Sequence, residues 1–337
     1  MINALYGALE SGLIYAIMAL GVYLTFRILD FPDLTVDGSF VTGGAVSAIM
    51  IVNGQDPFLS TLVGGAAGFI AGCFTGLLHT KGNINALLSG ILMMTALYSI
   101  NLKIMQKPSI PLMNQETVFT RIESWWAALN LDALISAPFM WIGVGEHLPR
   151  TFYVIGSMII IMFIFKKLID WLLQTEAGLA LRATGDNPRM VKSFSANTNM
   201  YIIIGLGISN GLVAISGGLV VQYNGFSDVN LGIGMIIIGL ASVIIGEGLF
   251  GKDKIVRLTL AVALGAIVYR FIIAIALRTD FLDASDMKLI TAIIVIGALV
   301  FPKWWAYIKE KKKRQAARKT LREQEKGVDF IASTKSD

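Results

Sequence analysis

Six ionisable side chains stand in or beside strongly apolar stretches of this sequence: Glu10, Asp30, Asp33, Asp37, Glu247 and Arg270. A charge surrounded by hydrocarbon is costly, so such groups face a cavity, bind a polar ligand, carry protons or pair with one another. Arg270 lies about 10 Å before the end of its apolar run by helical rise. It can snorkel to the surface, form an ion pair with Asp37, Glu247 or Glu10, or meet a substrate carboxylate. In Asp30-Phe-Pro-Asp-Leu-Thr-Val-Asp37, Pro32 can break the backbone and leave a half-helix N-terminus lined by Thr35, Asp37 and Ser39. Interrupted helices of that kind hold the polar ends of solutes within a bilayer; a plain cytoplasmic turn is the alternative. Asn85 and Ser89, with Asn83, Asn101 and Asn210, are neutral candidates for the same path.

Covalent chemistry has weaker support. Gly246-Glu-Gly-Leu-Phe-Gly-Lys252 matches the spacing of a phosphate loop, but Asp253 stands where Ser or Thr would hold magnesium. The strand and helix that should flank such a loop are missing, so no ATP site is expected on this chain. Neither a His-Glu-x-x-His helix nor a paired Asp motif is present. The single cysteine, Cys73, excludes an intrachain disulfide framework and a Cys-based zinc site, and His79 and His147 lie in separate loops. No catalytic residue and no metal site are expected.

The elements that must position these groups are membrane helices. Of 337 residues, 55% are hydrophobic and 15% charged, and the mean hydropathy is +0.68, too apolar for a water-soluble chain of this size. The net charge of +5 is confined to one end. Residues 303–337 hold 11 Lys/Arg against 5 Asp/Glu, leaving the remainder at 17 against 18 and no basic domain for a nucleic acid. Residues 1–12 lack the basic segment of a cleavable signal peptide, so the first helix is expected to be retained.

A bilayer core needs about 20 apolar residues per helix. That length predicts an all-α, polytopic bundle with about nine transmembrane helices: Leu5–Phe26, Gly38–Val52, Phe58–Leu78, Ile84–Met105, Phe152–Leu173, Met200–Gln222, Gly232–Phe250, Ile255–Leu277 and Lys288–Tyr307. One of them is interrupted near residues 30–39. The excess of Lys/Arg marks the cytoplasmic side. It puts the C-terminus inside and, through nine crossings, the N-terminus outside. The chain then divides into a transmembrane domain, 1–308, and a basic cytoplasmic tail, 309–337, suited to anionic headgroups. Residues 107–150 are extracytoplasmic, with Trp125, Trp126, Phe139, Met140 and Trp141 at the headgroup level. They form either a packing cap or a docking surface.

Two further patterns concern assembly. Gly64, Gly68, Gly72 and Gly76 line one face of the third span, where small residues let another backbone approach, within one subunit or between two. In the loop 174–199, Glu176 to Thr184 predicts a short helix ended by Gly185 in the left-handed conformation, and Asn187 with Pro188 predicts the cap and first residue of the next. With Arg182 and Arg189, this helix-turn-helix can dock a cytoplasmic partner or simply connect two spans.

Gly178-Leu-Ala-Leu-Arg-Ala-Thr-Gly-Asp-Asn-Pro-Arg189, the small-residue helix Gly205 to Gly218 and Gln222-Tyr-Asn-Gly225 resemble the permease subunits of branched-chain amino acid and simple-sugar ABC importers. So do Asp33-Leu-Thr-Val-Asp-Gly-Ser39, Gly239-Leu-Ala-Ser-Val-Ile-Ile-Gly-Glu247 and Tyr269-Arg-Phe-Ile-Ile-Ala-Ile-Ala-Leu277. The resemblance spans roughly residues 5 to 305 and is strongest to the amino-acid subgroup, including tryptophan-type systems. Relative to the sugar permeases, an additional first helix is not expected in this chain.

The resemblance implies a subunit that forms the translocation path for an amino acid and dimerises with a second copy, in the cell membrane of a prokaryote. Glu176, Gly178, Leu179, Arg182, Ala183, Thr184, Gly185, Asp186, Asn187, Pro188 and Arg189 would couple it to a cytoplasmic ATPase. ATP and magnesium would be held by that ATPase, with no cofactor on this chain, and an extracytoplasmic binding protein or lipoprotein would deliver the solute. The rival expectations are a secondary transporter driven by an ion gradient and ABC import of sugars or nucleosides.

Overall fold

The computed structural model describes residues 2–129, 132, 151–251, 254–277, 289–294, 296, 297 and 300. Its contacts divide the chain into two units, Met1–Ala292 and Ile293–Asp337. The first unit is the helical bundle; in the second, the described residues are helical. The basic tail, most of the ninth expected span, Phe139, Met140, Trp141, His147, and Lys252 with Asp253 lie outside the described residues.

The described chain is helical apart from its connections and two strands of three residues. Helix α1 (Ile2–Tyr23) runs into a π-helical turn (Leu24–Ile28), and α2 (Thr35–Val52), α3 (Pro57–Thr80) and α4 (Ala86–Met105) follow. Strand β1 (Ser109–Pro111) and the amphipathic α5 (Val118–Ala128) precede α6 (Tyr153–Gln174), the short α7 (Glu176–Asp186) and α8 (Pro188–Ser193). The long α9 (Thr198–Asn224), β2 (Phe226–Asp228), α10 (Met235–Phe250) and α11 (Ile255–Ala276) complete it. Antiparallel pairing of β1 with β2 sets Ile110 opposite Ser227. Together with Gly225, in the left-handed conformation that caps α9, this ribbon closes one end of the bundle.

Six of these helices are long and apolar enough to cross a membrane, where nine crossings were expected. The difference among the described residues has two sources. Helix α10 is only 16 residues long, because residues 232–234, the start of the expected span, belong to a turn segment 229–234. Helix α6 is long enough but carries Lys166, Lys167 and Asp170. Lys166 and Asp170 are buried and paired at 2.5 Å, and Thr259 of α11 donates to the same carboxylate at 2.5 Å.

Close backbone contact organises the core. Helices in lipid gain no hydrophobic drive from associating, so van der Waals contact and hydrogen bonds must supply it. Helix α9 lies against α1, α2 and α3. A Cβ at Gly43 of α2 would stand 1.9 Å from the Ala214 carbonyl oxygen, and one at Gly217 of α9 would stand 2.0 Å from that of Phe40. Gly64 faces Gly43, whereas Gly68, Gly72 and Gly76 face Asn210, Leu206 and Ile203 of α9. The glycine row of α3 thus serves packing inside this subunit.

Short polar side chains then reach across. Gln222 Nε2 donates to Ser47 Oγ at 3.0 Å and Thr61 Oγ1 at 2.8 Å, and its Oε1 accepts from Val118 N at 2.8 Å. This one side chain ties α2, α3, α5 and α9 together. At the same end, Asp56 caps α3 by accepting from Phe58 N and Leu59 N and pairs with Arg121 of α5. The Leu59 N–H, then Arg121, hold its carboxyl below the usual range.

Gly43→Val is expected to cost at least about 1–3 kcal/mol, the usual range for overpacking, because its neighbour is backbone. Gly7→Ala, with nothing within 4 Å of the added carbon, should leave the thermal transition in detergent unchanged. An unaltered Gly43→Val transition would contradict this packing.

Candidate functional site

A cavity of about 310 Å³ opens between α2, α4 and the turns that lead into α10. Its wall includes Asp37, Val41, Met94, Tyr98, Asn101 and Ile233. The volume lies at the lower end for small-molecule sites. Its geometry follows from the non-helical approach to α10. After β2 the chain passes through non-helical residues 229–234 and starts α10 at Met235, where Gly234 is left-handed. Gly232 can approach there because it has no Cβ; one would meet the Asp37 carbonyl oxygen at 2.1 Å.

Asp37 caps α10 from a distant part of the chain. Its Oδ2 accepts from Gly234 N at 2.9 Å and its Oδ1 from Ile236 N at 2.8 Å. A carboxylate at a helix N-terminus satisfies orphan N–H groups and complements the helix dipole. Across the cavity, Asn101 of α4 is 1% exposed and donates from Nδ2 to the Gly38 carbonyl at 3.2 Å. Its Oδ1 is buried without a hydrogen-bond partner among the described residues.

The other path candidates are placed differently. The break near residues 30–39 exists: residues 29–34 are non-helical and α2 begins beside the end of α3, with Thr35 Oγ1 and Thr75 Oγ1 2.8 Å apart. Asp33 is buried in that turn, accepting from Thr35 N at 2.9 Å and Asn210 Nδ2 at 2.7 Å. Thr35, Ser39, Ser89 and Asn210 are wholly buried and do not line the cavity, since close helix packing covers them. Asn85 is exposed and caps α4.

Arg270 makes no ion pair with Asp37, Glu247 or Glu10 among the described contacts. Its guanidinium lies 3.9 Å from the centre of the Tyr15 ring, a cation–π arrangement. The carboxylates are engaged elsewhere: Glu10 accepts from Tyr223 Oη at 2.8 Å, and Glu247 pairs with Arg27 of the π turn at 2.8 Å. Among the cavity residues, Met94, Tyr98 and Ile233 carried no signal in the sequence beyond apolarity.

At the end of the bundle opposite the β ribbon, α6 turns through Thr175 into α7. Thr175 Oγ1 accepts from Gly178 N at 3.2 Å, and Asn187 caps α8 by accepting from Met190 N at 3.1 Å with Pro188 at the first helical position. Gly185 does not terminate α7 in the left-handed conformation: it is helical, and α7 continues to Asp186. Glycine is needed there for contact, since a Cβ would stand 2.0 Å from the Ile28 carbonyl oxygen; Gly178 likewise lies against Leu172.

Helix α7 has three faces. Gly178, Leu181 and Thr184 are buried. Arg182, Ala183 and Gly185, with Leu179 and Asp186 at the rim of the exposed face, line a second cavity of about 740 Å³, with Arg27 and Asp30 opposite. Glu176, Leu179, Asp186, Asn187, Pro188, Arg189 and Met190 are exposed, a mixed apolar and charged surface.

Residues 4–301 match the family described as branched-chain amino acid transport system / permease component. A tyrosine transport system permease protein of Clostridioides difficile (strain R20291) is 41% identical over 297 residues, covering 88% of this chain and 90% of that protein. An uncharacterized protein of Rickettsia prowazekii (strain Madrid E) is 33% identical, covering 88% and 97%. The ribose import permease protein RbsC of Escherichia coli (strain K12) is 24% identical, covering 80% and 77%.

Removing the Asp37 carboxylate should unseat the start of α10. Asp37→Ala is expected to destabilise the chain by about 1–3 kcal/mol, the cost of leaving buried donors unpaired, with Asp37→Asn losing less because one acceptor remains. Thermal unfolding in detergent measures both, and equal stability of Asp37→Ala and wild type would refute the cap.

Proposed function

The chain belongs to the branched-chain amino acid transport system / permease component family, and from that premise we propose that it imports an aromatic amino acid across the cell membrane. As a permease of that family it is a multi-pass membrane subunit of an ABC importer with no catalytic domain and no cofactor of its own, and ATP hydrolysis belongs to a partner. The amino acid is suggested by the relative named for tyrosine transport. The observation that carries the reading is the α7–α8 elbow: its inner face is packed on the π turn of α1 and the end of α6 while its outer face is a mixed apolar and charged exposed surface.

In this reading α7 and α8 face the cytoplasm and fit a groove on the ATPase. The start of α1 then lies outside, near the α6 start at Phe152, with Tyr6 and Phe152 in edge contact. A binding protein delivers solute at the end formed by α5 and the β ribbon, and a second copy completes the path. ATP binding moves α7. Because Gly185 lies on Ile28, the π turn of α1 follows, and Arg27 passes the displacement to α10 through Glu247. The start of α10 is bound to Asp37, so the cavity beside it changes shape. Packed helices convert small shifts into two discrete arrangements, which is what alternating access needs.

Leu179→Glu and Met190→Glu place charge on the exposed face without disturbing the buried one. Both should reduce co-purification of the ATPase from native membranes by about tenfold or more while thermal stability is retained. Gly185→Val should also lose it, with a lowered transition. Full retention of the ATPase by both surface variants would refute the docking assignment. ATP-independent uptake by the isolated chain, abolished by an ionophore, would instead identify a secondary transporter.

A further inference from the structure

We propose that the cavity between α2, α4 and residues 229–234 is a binding site for the ammonium end of the transported solute, with Asn101 Oδ1 as its acceptor. The proposal rests on the importer function above and adds which end of the solute is recognised and by which atoms. Asn101 is 1% exposed and its amide orientation is fixed, because Nδ2 donates to the Gly38 carbonyl. That leaves Oδ1 buried without a partner among the described residues, on a side chain that belongs to the lining of the cavity. A buried acceptor left unsatisfied costs free energy that a bound donor recovers.

The ionisable chemistry of the wall is one-sided. Asp37 is the charged residue among those that line the cavity, and no Lys, Arg or His accompanies it among the described residues. Its two oxygens each accept one N–H of α10, and each retains a lone pair. Such a wall favours a cation and disfavours a bare carboxylate. Thr95 also lines it, but its hydroxyl donates to the Ile91 carbonyl within α4; the remainder is largely apolar and partly aromatic, formed by Val41, Met94, Tyr98 and Ile233, which suits a hydrophobic side chain. Primary ammonium, apolar body and a volume near 310 Å³ describe an aromatic or large aliphatic amino acid more closely than a sugar, whose many hydroxyls would find few partners here.

The test uses the full transport complex in proteoliposomes, with its ATPase and binding protein and with L-tyrosine and L-phenylalanine as probes. Asn101→Leu removes the acceptor at similar volume, and Asn101→Asp restores one. Asn101→Leu is expected to raise the half-saturation concentration for ATP-driven uptake about tenfold or more, as loss of a hydrogen bond to a charged group does. ATPase retention should be unchanged, the thermal transition should fall alike in both variants with the lost Nδ2–Gly38 bond, and Asn101→Asp, which keeps an acceptor, should recover capture that Asn101→Leu loses. Without the binding protein, phenethylamine should stabilise the complex against heat and 3-phenylpropanoate should not.

Equal half-saturation for wild type and Asn101→Leu, or stabilisation by 3-phenylpropanoate as great as by phenethylamine, overturns the proposed site while the importer stands. Failure of ATP to drive any amino-acid uptake by the wild-type complex overturns the importer reading and the site with it.

Discussion

Backbone contact between α2, α3 and α9 is the constraint on which the rest of the structure depends. In a bilayer, apolar side chains gain little by meeting one another rather than lipid. Glycine at the crossing points brings whole backbones together instead, with Gly43 against Ala214, Gly217 against Phe40 and the α3 row against α9. Only at that separation can side chains as short as Ser, Thr, Asn and Gln bridge helices. Asn210 therefore reaches Asp33, and Gln222 reaches Ser47 and Thr61. The same crossing fixes α2, which presents Asp37 to the start of α10.

Two kinds of segment are built on this rigid centre. At one end the α7–α8 elbow lies on the π turn of α1, with Gly185 against Ile28. Inside the bundle, residues 229–234 leave the helical conformation and are held by a carboxylate and a glycine contact. This segment lines the cavity beside Asn101. Arg27 of the π turn pairs with Glu247 of α10, the contact through which the proposed coupling would run.

Much of the helical framework was legible from apolar run length. Eight of the nine expected spans coincide with helices, and Asn187 with Pro188 marks the start of α8. The failures share a physical origin. The start of α10 is decided by Asp37, almost two hundred residues away, and run length carries no trace of that partner. Gly185 has the residue type of a helix terminator, but its neighbour Ile28 is distant in sequence and requires a missing Cβ inside a helix. Arg270 suggested an ion pair because charges attract, and its actual neighbour is the face of Tyr15. Thr35, Ser39, Ser89 and Asn210 are a separate case, read as path residues because polarity at depth is costly. Packing buries them, and the cavity is walled largely by residues whose types gave no warning.

The central claim is that ATP bound to a partner changes access to the cavity beside Asp37. The most direct measurement places a cysteine at Tyr98, in a Cys73→Ser background, and follows its modification by a membrane-impermeant thiol reagent from either side of oriented vesicles containing the full transport complex. The account predicts that the accessible side changes when ATP is bound and changes back after hydrolysis. Modification at the same rate from the same side in every nucleotide state would contradict it.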